Sequence, residues 1–228
     1  MGEGIVHRIS GPIIVSRDTE DLIMNEEVRI GDEQLIGEII EISGDNAVIQ
    51  VYEDTTGIKP GTKIFGTGNL LSVELGPGLI GNTFDGIQRP LTEIKNQQGT
   101  FIKRGVKSKP LSREKEWKVD IKVSEGDRIE SNSIIGEVEE TPLIKHRIPV
   151  PPGISGKIVK IYNSESYKIE DNLCTVRDDE GNENTLKLFH TWPVRKKRPF
   201  NKRLPPEDIL FTGQRVIDFI FPISRGGH

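Results

Sequence analysis

The chain has 228 residues, room for one large domain or two to three small ones. Its composition is polar but not that of a disordered chain, and 24 glycines and 14 prolines leave little room for long helices. A net charge of -4 gives no footprint for nucleic acid, and the single cysteine, Cys174, excludes an internal disulfide and a cysteine-based metal cluster.

From Ile5 to about Leu71 the pattern is that of a small antiparallel β-barrel. Ile5–Ile9 and Ile13–Val15 flank a Ser10-Gly11-Pro12 break. Val28–Ile30 meets Leu35–Ile42 across Gly31-Asp32-Glu33-Gln34, a hairpin, and Ser43-Gly44-Asp45-Asn46 turns the chain into Ala47–Tyr52. In that last run Ala47, Ile49 and Val51 share one face. Five or six short strands with β-branched residues and Gly/Asp/Asn turns favour closure, which removes exposed edges. A second β-rich unit runs from about Pro110 to Leu188. It repeats a pattern of strand, tight Gly-containing turn and strand: Val119–Val123, Ser124-Glu125-Gly126-Asp127, Ile134–Val138, then Gly156–Ile161. This suits a flattened sandwich of the barrel-sandwich kind, with Pro149, Pro151 and Pro152 confining their segment to an edge or a bend. The third stretch, from Phe189, is extended and basic through Arg195–Arg198. It ends in a helix for which Thr212 is the expected N-cap, Val216, Ile217, Phe219 and Ile220 the apolar stripe, and Pro222 the stop.

Three strings in order, GEIIEISGDNAVIQVYEDTTGIKPG (37–61), LSVELGPGLIGNTFDGIQRPL (71–91) and TWPVRKKRP (191–199) followed by FTGQRVIDFIFPISRGG (211–227), resemble the N-terminal portion of the catalytic A subunit of V/A-type rotary ATPases. The β-rich addition between Pro110 and Leu188 sharpens the likeness, because it looks like the bulge domain that sets catalytic A subunits apart from B subunits and F-type relatives. The resemblance implies a mainly β chain in four parts. These are an N-terminal six-stranded-type barrel (1–71), a hinge linker with the first part of a nucleotide-binding domain (72–109), the inserted bulge (110–188), and a return segment with the first helix of a truncated α/β domain (189–228). It also implies a parent subunit that couples ATP hydrolysis or synthesis to proton or sodium transport. The implied partners are B subunits in an alternating hexamer and the central and peripheral stalks. No nucleic acid is expected, and the membrane is reached only through the assembled complex.

ATP and Mg²⁺ are cofactors of the complete subunit in that family, held by a glycine-rich loop with Lys and Ser/Thr. No G-x-x-x-x-G-K-[ST] occurs in these 228 residues. Gly226-Gly227 matches the position just ahead of the strand leading into that loop, so the loop is expected after Gly227, and His228 departs from the small polar residue expected there. The chain alone is therefore expected to carry no catalytic, cofactor-binding or metal residue and to be inactive. Asp85, Gly86 and Pro90 are expected to form part of a hinge region, with a fixed turn between domains as the plainer alternative.

Other features have ordinary readings. No apolar run approaches the roughly 20 residues that cross a bilayer, and Met1 to Val6 lack the apolar core of a signal peptide, so a cytoplasmic chain is expected. His7, His146, His190 and His228 are scattered without ligand spacing. Lys145 lacks the neighbours of a biotinyl or lipoyl carrier lysine and is expected to be a solvated strand or turn residue. The basic run Arg195–Arg198, with Lys202 and Arg203 and the aromatics Trp192 and Phe200, is expected to be a solvated or subunit-facing surface. Cys174 is expected to be a buried core thiol. A stand-alone β-rich interaction module is the competing reading for the whole chain. The two differ at the Phe211–Phe221 helix, whose apolar stripe a fragment leaves uncovered and a complete module buries.

Overall fold

Six antiparallel strands close into a barrel: β1 (Glu3–Ser10), β2 (Ile13–Arg17), β3 (Glu26–Ile30), β4 (Leu35–Ser43), β5 (Asn46–Val51) and β6 (Lys63–Leu70), in the order β1-β2-β5-β4-β3-β6. The computed structural model describes residues 2–99, 101–200, 202, 205 and 207–225. It separates into two units, Met1–Lys197 and Arg198–His228.

The turns that the sequence marks are the ones that set register. Gly11-Pro12 closes Ser10 onto Ile13, Gly44-Asp45 closes Ser43 onto Asn46, and Gly31–Gln34 joins Ile30 to Leu35. Gly11 and Gly44 both adopt the left-handed backbone these connections require. Strand alternation then sends Val28, Ile30, Leu35, Ile39, Ile49 and Ile64 into one core. Strand β6 carries little hydrophobic signal, because glycine stands at positions 66 and 68. A Cβ on Gly66 would lie 2.5 Å from both Glu26 Oε1 and Leu22 Cδ2, so the strand is there because glycine lets it approach. Glu26 is itself buried, and its carboxylate accepts the N–H groups of Ile23 (2.8 Å) and Gly68 (2.6 Å).

The inserted unit is two sheets and one short ribbon. Strands β8 (Glu116–Trp117), β9 (Val119–Ile121), β10 (Arg128–Ile129), β11 (Ile134–Thr141), β12 (Ile144–Pro149), β13 (Gly156–Ile161), β14 (Tyr167–Lys168), β15 (Asn172–Arg177) and β16 (Glu183–Lys187) follow in chain order. One sheet runs β10-β13-β15-β16 and the other β12-β11-β9, while β14 pairs with β8. Ile135, Val138, Ile148, Ile158, Val176 and Leu186 meet between them. Pro149 ends β12, an edge strand, as the proline pattern requires. Cys174 is in this core, 2% exposed, and burial pushes its thiol up to about 11.

Between barrel and insert lie β7 (Ser72–Leu75) and α1 (Leu91–Gln98); after the insert comes β17 (His190–Pro193), which returns to pair with β7. Helix α1 carries no apolar stripe in its sequence, and Ile94 is its one buried residue, so periodicity alone does not announce it.

In the Arg198–His228 unit the helix, α2, spans Arg215–Ile220, and the expected N-cap is corrected. Gln214 holds the cap position, without a side-chain hydrogen bond. Thr212 instead makes a turn: its hydroxyl accepts the Gln214 N–H (3.2 Å) and donates to Asp218 (2.7 Å). The Asp218 carboxylate also accepts the N–H groups of Thr212 and Gly213, and these bonds hold it below the usual carboxylate range. Gly213 is left-handed, which is why the first turn starts later. Val216, Phe219, Ile220 and Phe221 are exposed, Phe219 by 85%. Gly226, Gly227 and His228 lie outside the described residues. Among those described, no helix is long and apolar enough to cross a membrane.

Candidate functional site: the joint beside the barrel

The loop Asp85–Pro90 is built by one carboxylate. Asp85 Oδ1 accepts the N–H groups of Ile87 (3.1 Å) and Arg89 (2.8 Å), and Oδ2 meets Arg89 Nε at 2.7 Å. This closes an Asx-type turn in which Gln88 takes a left-handed backbone and Phe84 bridges Pro90. Pro90 then fixes the start of α1. Gly86 is exposed, its φ is not positive, and nothing lies within 4 Å of a Cβ built on it.

Arg89 carries the loop to the barrel. Its side chain is 9% exposed, and Nη1 bonds Glu53 Oε2 at 3.1 Å and the Val106 carbonyl at 3.4 Å. Glu53, 4% exposed, follows β5 and also accepts the Gly105 N–H at 2.6 Å. One guanidinium thus ties three chain segments, with the planar fork that a lysine lacks. Gln88 adds a second tie. Its side-chain amide accepts from Glu74 N–H and donates to Glu74 C=O, both at 2.7 Å, and so stands in for a neighbouring strand beside β7. Glu74 in turn holds Arg113 through both carboxylate oxygens, and Arg113 reaches Glu170 (2.8 Å) and the Phe189 ring.

The return segment is pinned separately. Alternation places Glu38 on the outer face of β4, yet its side chain is 0% exposed because Arg195 and Tyr52 cover it. Arg195 forks onto it with Nε–Oε1 2.9 Å and Nη2–Oε2 2.8 Å, and the Tyr52 hydroxyl donates at 2.6 Å. The Arg195 hydrogen bond holds the Glu38 carboxyl below its ordinary value, and burial together with Glu38 pushes the Tyr52 phenol up. Because the folded value is depressed, the stability this pair contributes is complete above the unfolded value of about 4.5 and drains as pH falls through the folded one. Arg195→Ala is therefore expected to flatten the dependence of the urea midpoint on pH between pH 7 and 3. Parallel curves for the two chains would overturn this.

The other residues that the sequence singles out do not gather into a site. Among the described residues no cluster of His, Cys, Asp and Glu could hold a metal. A carrier lysine stands at the tip of a tight turn, whereas Lys145 sits within β12 opposite Glu139, away from the hairpin tip at Pro142-Leu143. In the basic run, Arg195 is engaged with Glu38 and the Lys196 ammonium lies 5.6 Å from the Trp192 ring centre. Arg203 lies outside the described residues. Sequence reading does not find Glu38, Glu53, Arg113 or Arg195 as joint residues. Glu38 and Arg195 are 157 positions apart, and no local pattern links them.

What the geometry offers is mechanical: guanidinium groups on two buried carboxylates, Glu53 and Glu38, join the closed barrel to the chain that leaves it. Two family models match, the ATP synthase alpha/beta family beta-barrel domain over residues 6–68 and the ATP synthase alpha/beta subunit barrel-sandwich domain over residues 108–195. The chain is 48% identical over 225 residues to the A subunit of an A-type ATP synthase from Methanopyrus kandleri and to the alpha chain of a V-type ATP synthase from Halothermothrix orenii, in each case over 99% of this chain. It is 50% identical over its full 228 residues to the A subunit of an A-type ATP synthase from Metallosphaera sedula. The chain spans 38% of the length of each of these three relatives.

Proposed function

The chain belongs to the ATP synthase alpha/beta family, and from that premise we propose that it serves as the N-terminal part of the catalytic A subunit of a V/A-type rotary ATPase. The observation that carries this reading is identity of 48–50% spread over 99–100% of the chain, across barrel, linker and insert in one order. In this role residues 1–71 are the crown barrel, 72–109 the hinge linker and start of the nucleotide domain, 110–188 the bulge, and 189–228 the return segment. The complete subunit binds ATP and Mg²⁺, alternates with B subunits in a hexamer, meets the central and peripheral stalks, and works in the cytoplasm on a membrane-bound partner sector. A closed barrel suits a ring that resists torque, because its wall is a continuous hydrogen-bonded sheet. The uncovered apolar residues of α2 support a role as part of a larger folded body.

The 228 residues supply no phosphate-binding loop and are expected not to bind nucleotide. Equilibrium dialysis with Mg²⁺ and labelled ATP tests this, and saturable micromolar binding would sink the reading. Asp85, Gly86 and Pro90 act as the barrel-side end of a hinge region in the working subunit. Gly86 is the position to probe, since open space around it means a side chain meets no obstacle and only backbone freedom is lost. Gly86→Val in the complete subunit is expected to change turnover by about threefold or more. An unchanged rate would remove the hinge.

A further inference from the structure

Glu140, near the end of β11, is a carboxylate with its side chain only 3% exposed. Among the described residues its basic neighbour within 4 Å is His146, whose Nδ1 stands 3.6 Å from Oε2, and Oε2 has no hydrogen-bond partner. Burial pushes the His146 imidazole down. What compensates the Glu140 carboxylate is backbone: Oε1 accepts the N–H of Gly78 at 2.6 Å and that of Ile80 at 3.1 Å. These two residues belong to the loop that follows β7, 62 and 60 positions earlier in the chain.

The rest of that loop is seated closely. Gly78 has φ +108, and a Cβ on it would lie 3.5 Å from Trp117 Cζ2 and 3.8 Å from Leu111 Cδ2. A Cβ on Gly76 would lie 2.8 Å from Phe189 Cβ and 3.2 Å from the Leu188 carbonyl. At Gly81 the confinement ends: φ is +84 and nothing lies within 4 Å. The sequence suggests that Gly76, Gly78, Gly81 and Gly86 all supply freedom. In the structure Gly76 serves close approach, Gly78 a positive φ, and the later two stand in open space.

We propose that Glu140 is a latch that fixes the Gly76–Ile80 loop to the inserted domain, so that loop and insert move as one body and bending begins at Gly81. Docked, the carboxylate has two charge-assisted hydrogen bonds; a loop that leaves takes both donors with it, and Oε2 has no partner that makes up the loss. The latch belongs to this chain alone and stands or falls independently of the proposed parent protein.

The 228-residue chain tests it. Spin labels at Leu143→Cys on the hairpin tip of the insert, 96% exposed, and Ile42→Cys on the barrel report the distance between them. Buried Cys174 stays unlabelled. The parent is expected to give one narrow distance distribution. Glu140→Ala is expected to broaden it and to lower hydrogen-exchange protection at Gly78 and Ile80 about tenfold or more, with Ile148 still protected. Unchanged protection at Gly78 and Ile80 in Glu140→Ala overturns the latch, and an unbroadened distribution overturns bending at Gly81. If Glu140→Ala unfolds the insert, seen as lost protection at Ile148, then Glu140→Gln decides. Partial loss at Gly78 and Ile80 with Ile148 intact supports the latch, and unchanged protection there overturns it.

Discussion

Arg89→Ala is expected to destabilise the chain by about 3–5 kcal/mol, a lowering of the urea midpoint with little change in slope. The cost comes from what is left behind. Glu53 is 4% exposed and would keep only the Gly105 N–H, at 2.6 Å, and a long contact from Ile36 N–H, at 3.4 Å. Asp85 would lose its guanidinium partner, and the Val106 carbonyl would lose a donor. Arg89→Lys is expected to recover only part, because one ammonium cannot serve Asp85, Glu53 and Val106 in the geometry of a planar fork. The paired change Glu53→Gln with Arg89→Met removes both charges and is expected to cost less than Arg89→Ala alone. A double variant as unstable as the sum of the single ones would show that the pair does not act as a unit.

Gly156→Ala is expected to destabilise the insert by about 2–4 kcal/mol. A Cβ at Gly156 would sit 2.2 Å from the Arg177 carbonyl oxygen and 2.7 Å from its carbon, and φ is +151. The obstacle is backbone of β15, which pairs with β13 from Lys157 onward, so no rotamer change relieves it. Gly153→Ala is the matched control: φ is +90 but nothing lies within 4 Å, so it carries backbone strain alone, about 1 kcal/mol. Urea unfolding followed by fluorescence of Trp117, buried in the insert core, distinguishes the two. Equal midpoints for the two variants would overturn a cost from close approach.

Much of the architecture is legible because its causes are local. Glycine and Asp/Asn at the turns, and β-branched residues alternating between them, specify the hairpins β1–β2, β3–β4 and β4–β5 with their observed pairings. Where local chemistry is weak, the sequence is silent or misleads by a turn. Strand β6 is hidden by Gly66 and Gly68, α1 by the lack of an apolar stripe, and the start of α2 by a threonine that makes a turn with Asp218 in place of a cap. Asp85, Gly86 and Pro90 are visible as a loop, since Asp, Gly and Pro each have a turn role. Nothing in that string tells that Arg89 reaches Glu53.

Residue order suffices for a mainly β chain, a barrel followed by an inserted sandwich, a buried thiol at Cys174 and the family to which the strings belong. Each rests on short-range order: period-two alternation, turn residues, and motifs in fixed succession. Which glycines are free and which are filled space, and which charges are solvated and which hold the parts together, emerge only on folding. Those outcomes depend on groups far apart in the chain, such as Glu38 with Arg195 and Glu140 with Gly78. Burial raises the worth of such contacts because water no longer competes for them, and burial is a property of the folded whole.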